Sequence, residues 1–155
     1  MSAFPAIPAS FDRPRGGEVD VLVVAGEHSG DQHAAKVVAD LLAARPGLRI
    51  AAFGGPQLRA AGAQLLFDMT TFSAVGIVEI LSAYPFYRRL FNRMVDWTLQ
   101  WKPKVVVLVD YPGLNLRLAD ELRKAGLSRA GFGGTAVIQY VSPPLWAWKP
   151  KRRFT

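Results

Sequence analysis

Apolar and polar positions fall into blocks along the chain, and the blocks change period. Val19–Ala25 is a largely apolar run, the pattern of a strand buried on both faces of a parallel sheet. Gly30–Ala44 follows helical spacing and ends near Pro46-Gly47. Leu48–Phe53 predicts a second strand, followed by Gly54-Gly55-Pro56 and a short helix to Ala61. Gln64–Phe67 predicts a short strand and Ile77–Ala83 a helix, with Pro85 in the first turn of the next helix, which runs to about Trp101. Lys104–Val109 is the most apolar strand, Leu114–Ala125 a helix and Thr135–Val141 a further strand. Strands alternating with helices imply βαβ units, right-handed crossovers and an α/β fold with a parallel sheet flanked by helices.

The helix from Pro85 has two faces. Phe86, Leu90, Met94, Trp97 and Trp101 share one side, while Arg88, Arg89, Asn92, Arg93 and Asp96 lie mostly on the other. Tyr87 and Phe91 fall outside the apolar stripe. Packing on the sheet explains such a face, and so does an interfacial element with aromatics among lipid headgroups. Both readings stay open at this point.

Three junctions can carry chemistry. In the first, Val21–Ala25 climbs to Gly26-Glu27-His28-Ser29-Gly30-Asp31. Ligands of open α/β sheets bind beyond the carboxyl ends of the strands, which makes Glu27, Ser29, Gly30 and Asp31 candidates. A structural reading competes: Ser29 with Gln32 fits a capping box, and Asp31 suits the helix dipole. In the second, Asp110 ends an apolar strand at the sheet edge expected for Glu27, with Pro112-Gly113 suited to a type II turn. A carboxylate there can act as a general base or merely accept backbone hydrogen bonds. In the third, Tyr140-Val-Ser-Pro-Pro-Leu-Trp-Ala-Trp148 places Trp146 and Trp148 after a stiff loop. Two tryptophans can floor a sugar or acyl site or plug an interface.

Composition narrows the options. The chain lacks cysteine, so disulfides and cysteine-ligated metals are excluded. His28 and His33 have no third ligand at an obvious spacing, so no metal is expected. The chain contains neither a Gly-x-Gly-x-x-Gly motif nor a P-loop, and no cofactor is expected. The segment 1–17 holds three prolines and no apolar signal region, and predicts a flexible leader. No apolar run approaches the ~18 residues that span a bilayer. The net charge of +7 is unevenly placed: six basic residues face eight acidic ones up to Tyr84, and thirteen face four from Pro85 onward. A polyanionic partner fits that asymmetry, as does a solvated basic surface. Nucleic acid rests on charge alone, without a binding motif, and is not expected.

Five segments in order resemble the amino-terminal half of the lipid-A-disaccharide synthase family. They are Val24-Ala-Gly-Glu-His-Ser-Gly-Asp31, Phe53-Gly-Gly-Pro56, Val75-Gly-Ile-Val-Glu-Ile-Leu81, Val109-Asp-Tyr-Pro-Gly-Leu-Asn115 and Tyr140–Trp148. The resemblance runs from about Val19 to Phe154. It implies one Rossmann-like half of a GT-B glycosyltransferase: an acceptor-side domain over 18–155 behind the leader 1–17, with the carboxyl-terminal UDP-binding half absent. The family joins UDP-2,3-diacylglucosamine to 2,3-diacylglucosamine 1-phosphate by inverting transfer and needs no metal. Asp110 is then the catalytic base. Glu27, Ser29, Gly30, Asp31, Asn115, Trp146 and Trp148 become substrate-side residues. The resemblance also implies a cytoplasmic protein, peripheral on the anionic inner membrane, in which a homodimer of the full-length enzyme is compatible with the family. The chain alone is expected to be inactive. A non-catalytic lipid- or membrane-binding α/β module is the alternative.

Overall fold

The structure is a computed structural model that describes residues 5–72 and 77–140. Five parallel strands form one sheet: β1 (Val21–Ala25), β2 (Ile50–Gly54), β3 (Gln64–Asp68), β4 (Val105–Val109) and β5 (Ala136–Tyr140). Their order is β3-β2-β1-β4-β5, so the sheet grows outward in both directions from the β1–β4 pair. The helices are α1 (His28–Ala44), α2 (Pro56–Ala60), α3 (Ile77–Trp101) and α4 (Pro112–Lys124). This is the α/β parallel sheet flanked by helices expected from the alternation of elements, in the Rossmann-like arrangement that the resemblance implies.

The unbroken apolar strands are buried on both faces for a reason visible in the packing. Val21, Val23 and Ala25 face α1 together with Val38, Ala52 and Leu58. Leu22, Val24, Val106 and Leu108 face the other way, toward Leu90, Met94 and Trp97 of α3 and Leu118 and Leu122 of α4. The stripe predicted on α3 is thus its sheet-packing face, flanked by the partly buried Phe86 and Trp101. The segment read as a leader packs on the sheet from Ile7 onward rather than trailing from it. Phe11 is buried, with its ring 4.9 Å from that of Phe53, and the Trp97 indole N–H donates to the Asp12 carbonyl at 2.9 Å.

Two proline readings are corrected. Pro85 does not open a helix; it lies inside the single helix α3, which forgoes one backbone hydrogen bond there. A helix of 25 residues anchored along its core face tolerates that loss. Pro112-Gly113 is no type II turn: Pro112 is the first residue of α4, where its missing N–H has no helical partner to lose. The chain reverses one step earlier, at Asp110 and Tyr111. Among the described residues no helix is long and apolar enough to cross a membrane.

Candidate functional site

At the carboxyl ends of β1 and β4, α1 and α4 depart to opposite faces of the sheet. Neighbouring strands whose helices diverge in this way leave a crevice at the sheet edge. Glu27 follows β1 across Gly26 and is the N-cap residue of α1, extended at φ −135° and ψ 161°. It makes no side-chain cap, which leaves its carboxylate facing the crevice side, where it lines a cleft with Tyr111. The capping box expected of Ser29 is not formed, because the helix already starts at His28. Ser29 therefore lies inside the first turn, exposed, and a side chain caps only from the non-helical position before it.

Asp31 is committed elsewhere. It is 1% exposed, and its Oδ1 accepts hydrogen bonds from the backbone N–H groups of Gly55 (2.9 Å) and Leu58 (3.1 Å). Its Oδ2 accepts from Gln57 at 2.9 Å. The carboxylate of α1 thus satisfies the uncapped N-terminus of α2 and fastens the β2–α2 junction. Gly55 has to be glycine for this contact, since a Cβ there would lie 2.5 Å from both Asp31 Oδ2 and Thr70 Cγ2.

Asp110 and Tyr111 are consecutive non-glycine residues with left-handed backbones, at φ +50° and +42°. Such conformations cost roughly 1–2 kcal/mol per residue and persist only when their surroundings impose them. Here the constraints come from both neighbours. The Asp110 N–H donates to the Tyr140 carbonyl of β5 at 3.2 Å. Asn115 Nδ2, on α4, donates to the carbonyls of Val109 (3.1 Å) and Asp110 (2.6 Å). Gln139 Nε2 adds a longer bond to the Asp110 carbonyl at 3.4 Å. Asn115 is fully buried, and its Oδ1 has no hydrogen-bond partner among the described residues. The amide is spent on backbone, holding Asp110 at the crevice. Gly30 lies against the same place: a Cβ there would be 3.8 Å from Asp110 Cβ and 3.6 Å from the Val109 carbonyl oxygen. The side chain of Asp110 is thereby set beside the first turn of α1, partly exposed.

The left-handed turn also sets the Tyr111 ring against Gly26, just beyond β1. A Cβ on Gly26 would stand 2.7 Å from Tyr111 Cδ1, so only glycine admits the ring. Burial first, then the negative charge of Glu27, raises the Tyr111 phenol above its ordinary pKa. Tyr87 on α3 is raised likewise, by burial and then by Tyr111. Both phenols therefore stay neutral donors through neutral pH. Glu27, Tyr111 and Tyr87 form the upper part of a cleft of about 930 Å³ that continues between α3 and α4.

The structure thus brings Gly30 and Asn115 to Asp110, places Glu27 with Tyr111 in the cleft, whose lining does not include Asp110, turns Asp31 toward α2 and leaves Ser29 on the surface. Trp146 and Trp148 lie outside the described residues. Tyr87 and Tyr111, which line the cleft, are not among the site candidates that the sequence offers; the one available signal for Tyr111 is its place just before a helix-opening proline.

Residues 21–155 match the model of a family described as lipid-A-disaccharide synthetase. Over 132 residues, 85% of this chain, it is 42% identical to lipid-A-disaccharide synthase 1 of Legionella pneumophila (strain Lens), covering 33% of that relative. It is 43% identical to the lipid-A-disaccharide synthase of Myxococcus xanthus (strain DK1622), covering 32%. Identity to the lipid-A-disaccharide synthase of Nitrosococcus oceani is 39%, again over 32% of its length. The chain spans about a third of the length of the curated relatives it matches. With five ordered motifs, a match over most of its residues and a switch-point crevice framed by two of those motifs, Val24–Asp31 and Val109–Asn115, the chain belongs to the lipid-A-disaccharide synthetase family.

Proposed function

We propose that the chain is the amino-terminal, acceptor-side domain of an inverting glycosyltransferase that makes the lipid A disaccharide. The donor is UDP-2,3-diacylglucosamine, the acceptor is 2,3-diacylglucosamine 1-phosphate, and the protein works peripherally on the cytoplasmic face of the inner membrane. The observation that carries the reading is the pinned Asp110. A partly exposed carboxylate stands at the carboxyl end of a central strand, on a left-handed backbone fastened by α4 and β5. Fixed geometry of this kind is what a general base needs, because proton transfer requires the acceptor oxygen within hydrogen-bond reach.

In the reaction, Asp110 takes the proton of the acceptor's 6-hydroxyl as that oxygen attacks the anomeric carbon. The bond to UDP breaks in the same displacement, and the centre inverts. Glu27 and Tyr111 line the cleft at the same sheet edge, where they can hold sugar hydroxyls by accepting and donating. The test is Asp110→Ala in a full-length enzyme that carries this domain. Turnover is expected to fall by roughly 100-fold or more. Near-normal disaccharide formation would remove Asp110 as the base.

A further inference from the structure

The two carboxylate-bearing junctions touch one residue away from each carboxylate. Gly26 directly precedes Glu27, and Tyr111 directly follows Asp110. They leave β1 and β4, which pair in parallel through Ala25 and Val109, and the Tyr111 ring closes the gap between them. A Cβ on Gly26 would stand 2.7 Å from Tyr111 Cδ1, 3.0 Å from its Cγ and 3.4 Å from its Cβ. The backbone of Gly26 is not among the left-handed glycines, so an alanine could follow the chain's path there. The ring alone is what demands glycine. The atoms approached include the root of the side chain. Turning the ring about χ2 leaves Tyr111 Cβ and Cγ in place, so room for a methyl group has to come from χ1 or from the Tyr111 backbone.

That backbone is continuous with the strained one at Asp110. Tyr111 lies at φ +42° and ψ 64°, next to Asp110 at φ +50°, and such conformations persist where neighbours over-determine them. The bonds from Asn115 and to β5 fasten the Asp110 side of the pair. On the Tyr111 side, the Asn115 N–H donates to the Tyr111 carbonyl at 3.2 Å, as at any helix start, and the ring against Gly26 adds a side-chain contact that depends on this conformation. We propose that Gly26 is a positioning residue: through the Tyr111 ring it holds Asp110 in its left-handed backbone and fixes it relative to Glu27. The catalytic consequence rests on the reading of Asp110 as the base; the ring seat rests on the contact. A misplacement of about 1 Å costs a reacting group on the order of 100-fold in rate, so a contact that ties the two junctions together bears directly on turnover.

The experiment is a double-variant cycle in the full-length enzyme. Gly26→Ala is expected to lower kcat by roughly 10–100-fold. Added to Tyr111→Ala it is expected to cost nothing further, because the ring it displaces is gone. A double variant that falls below Tyr111→Ala by the whole factor would place the effect of the methyl group outside the ring and overturn the proposal. Tyr111→Phe keeps the ring and drops the hydroxyl, so its kcat is expected to stay within about threefold of the parent whatever happens to KM, while Tyr111→Ala falls as far as Gly26→Ala. Equal kcat for the phenylalanine and alanine variants would also overturn it, and this arm holds if circular dichroism finds Gly26→Ala unfolded. The seat is read without activity in the 155-residue chain, by NMR titration of isotopically labelled tyrosines, with Tyr111→Phe identifying the signal. Burial is the first cause of the raised Tyr111 phenol, so Gly26→Ala is expected to move that transition down. An unmoved transition in the folded variant would overturn the seat. A moved transition together with near-normal turnover of Asp110→Ala marks failure of the base assignment, with the seat intact.

Discussion

Truncating Asp31 to alanine is expected to destabilise the domain by about 3–5 kcal/mol, although the residue sits in the motif that reads most like a ligand loop. The carboxylate serves three backbone donors at 2.9–3.1 Å. Gln57 is exposed and its N–H can return to water, but Gly55 and Leu58 are buried. Two buried donors left unpaired cost roughly 1–3 kcal/mol each, and the small void adds to that. The total is a large share of a domain stability of roughly 5–15 kcal/mol. Asp31→Asn should cost less, about 1–2 kcal/mol: its carbonyl oxygen can keep Gly55 and Leu58, while its NH2 confronts the Gln57 donor. Gly55→Ala attacks the same contact from the other side, since its Cβ would press on Asp31 Oδ2. The double variant Asp31→Ala/Gly55→Ala is therefore expected to cost less than the sum of the two singles. Urea titration followed by circular dichroism reads all four proteins, with midpoints compared at matching slopes. A loss below about 1 kcal/mol for Asp31→Ala, or strict additivity in the double variant, would refute the assignment of Asp31 to α2.

Three further outcomes follow from other parts of the molecule. Hydrogen bonds from the Arg49 side chain, then from Lys104, hold the Asp20 carboxyl well below the usual carboxylate range. Because its folded pKa is depressed, its contribution to stability is present above about pH 4 and lost as pH falls further; Asp20→Asn should flatten the acid limb of a stability–pH curve, and an unchanged limb counts against the cluster. Glu27→Gln removes the charge that helps raise the Tyr111 phenol, so an ultraviolet titration should show a tyrosine transition moving down while burial keeps it above about 10; no shift would separate the two side chains. In the full-length enzyme, Asn115→Ala should lower kcat by roughly 10–100-fold through misplacement of Asp110 with KM little changed. Asn115→Asp, which keeps the shape but has no N–H to donate, should fall as far, and normal kcat in either variant would leave Asn115 without a positioning role.

Much of the scaffold was legible because its signals are local. The apolar runs of β1 and β4 have no polar face to offer water, so they fit only the middle of a parallel sheet, and the helices between them follow from connection rules. That Glu27 and Asp110 share an edge follows from the same logic, since parallel strands deliver their carboxyl ends to one side. Boundaries were harder where two local rules competed. Pro85 satisfied the rule for a helix start, but the core contacts of Leu90, Met94 and Trp97 hold one helix through it. Pro112-Gly113 suited a turn as well as a helix start, and the reversal was displaced onto Asp110-Tyr111 by a hydrogen bond from Asn115 to the Asp110 carbonyl and one from the Asp110 N–H to β5, which no dipeptide preference reports.

The two aspartates at the strand-to-helix junctions show why site reading from sequence stops where it does. Asp31 and Asp110 both follow apolar strands, and both carry a carboxylate where a ligand could be met. Their fates differ by position within the junction. Asp110 comes directly after its strand, before any helix, so its side chain remains at the edge once the backbone is pinned. Asp31 is already within α1, and helical side chains lean back toward the N-terminus. That lean brings its carboxylate to the start of α2, a second helix with three N–H groups to satisfy and no side-chain cap from Gly55. A carboxylate that stabilises a helix start and one that takes a proton from a substrate need the same chemistry, an ionised oxygen pair aimed at donors. What separates them is whether the donors are already supplied by the fold. For Asp31 they are, from the start of α2, 24 to 27 residues away; for Asp110 the hydrogen bonds fix the backbone and leave the residue partly exposed.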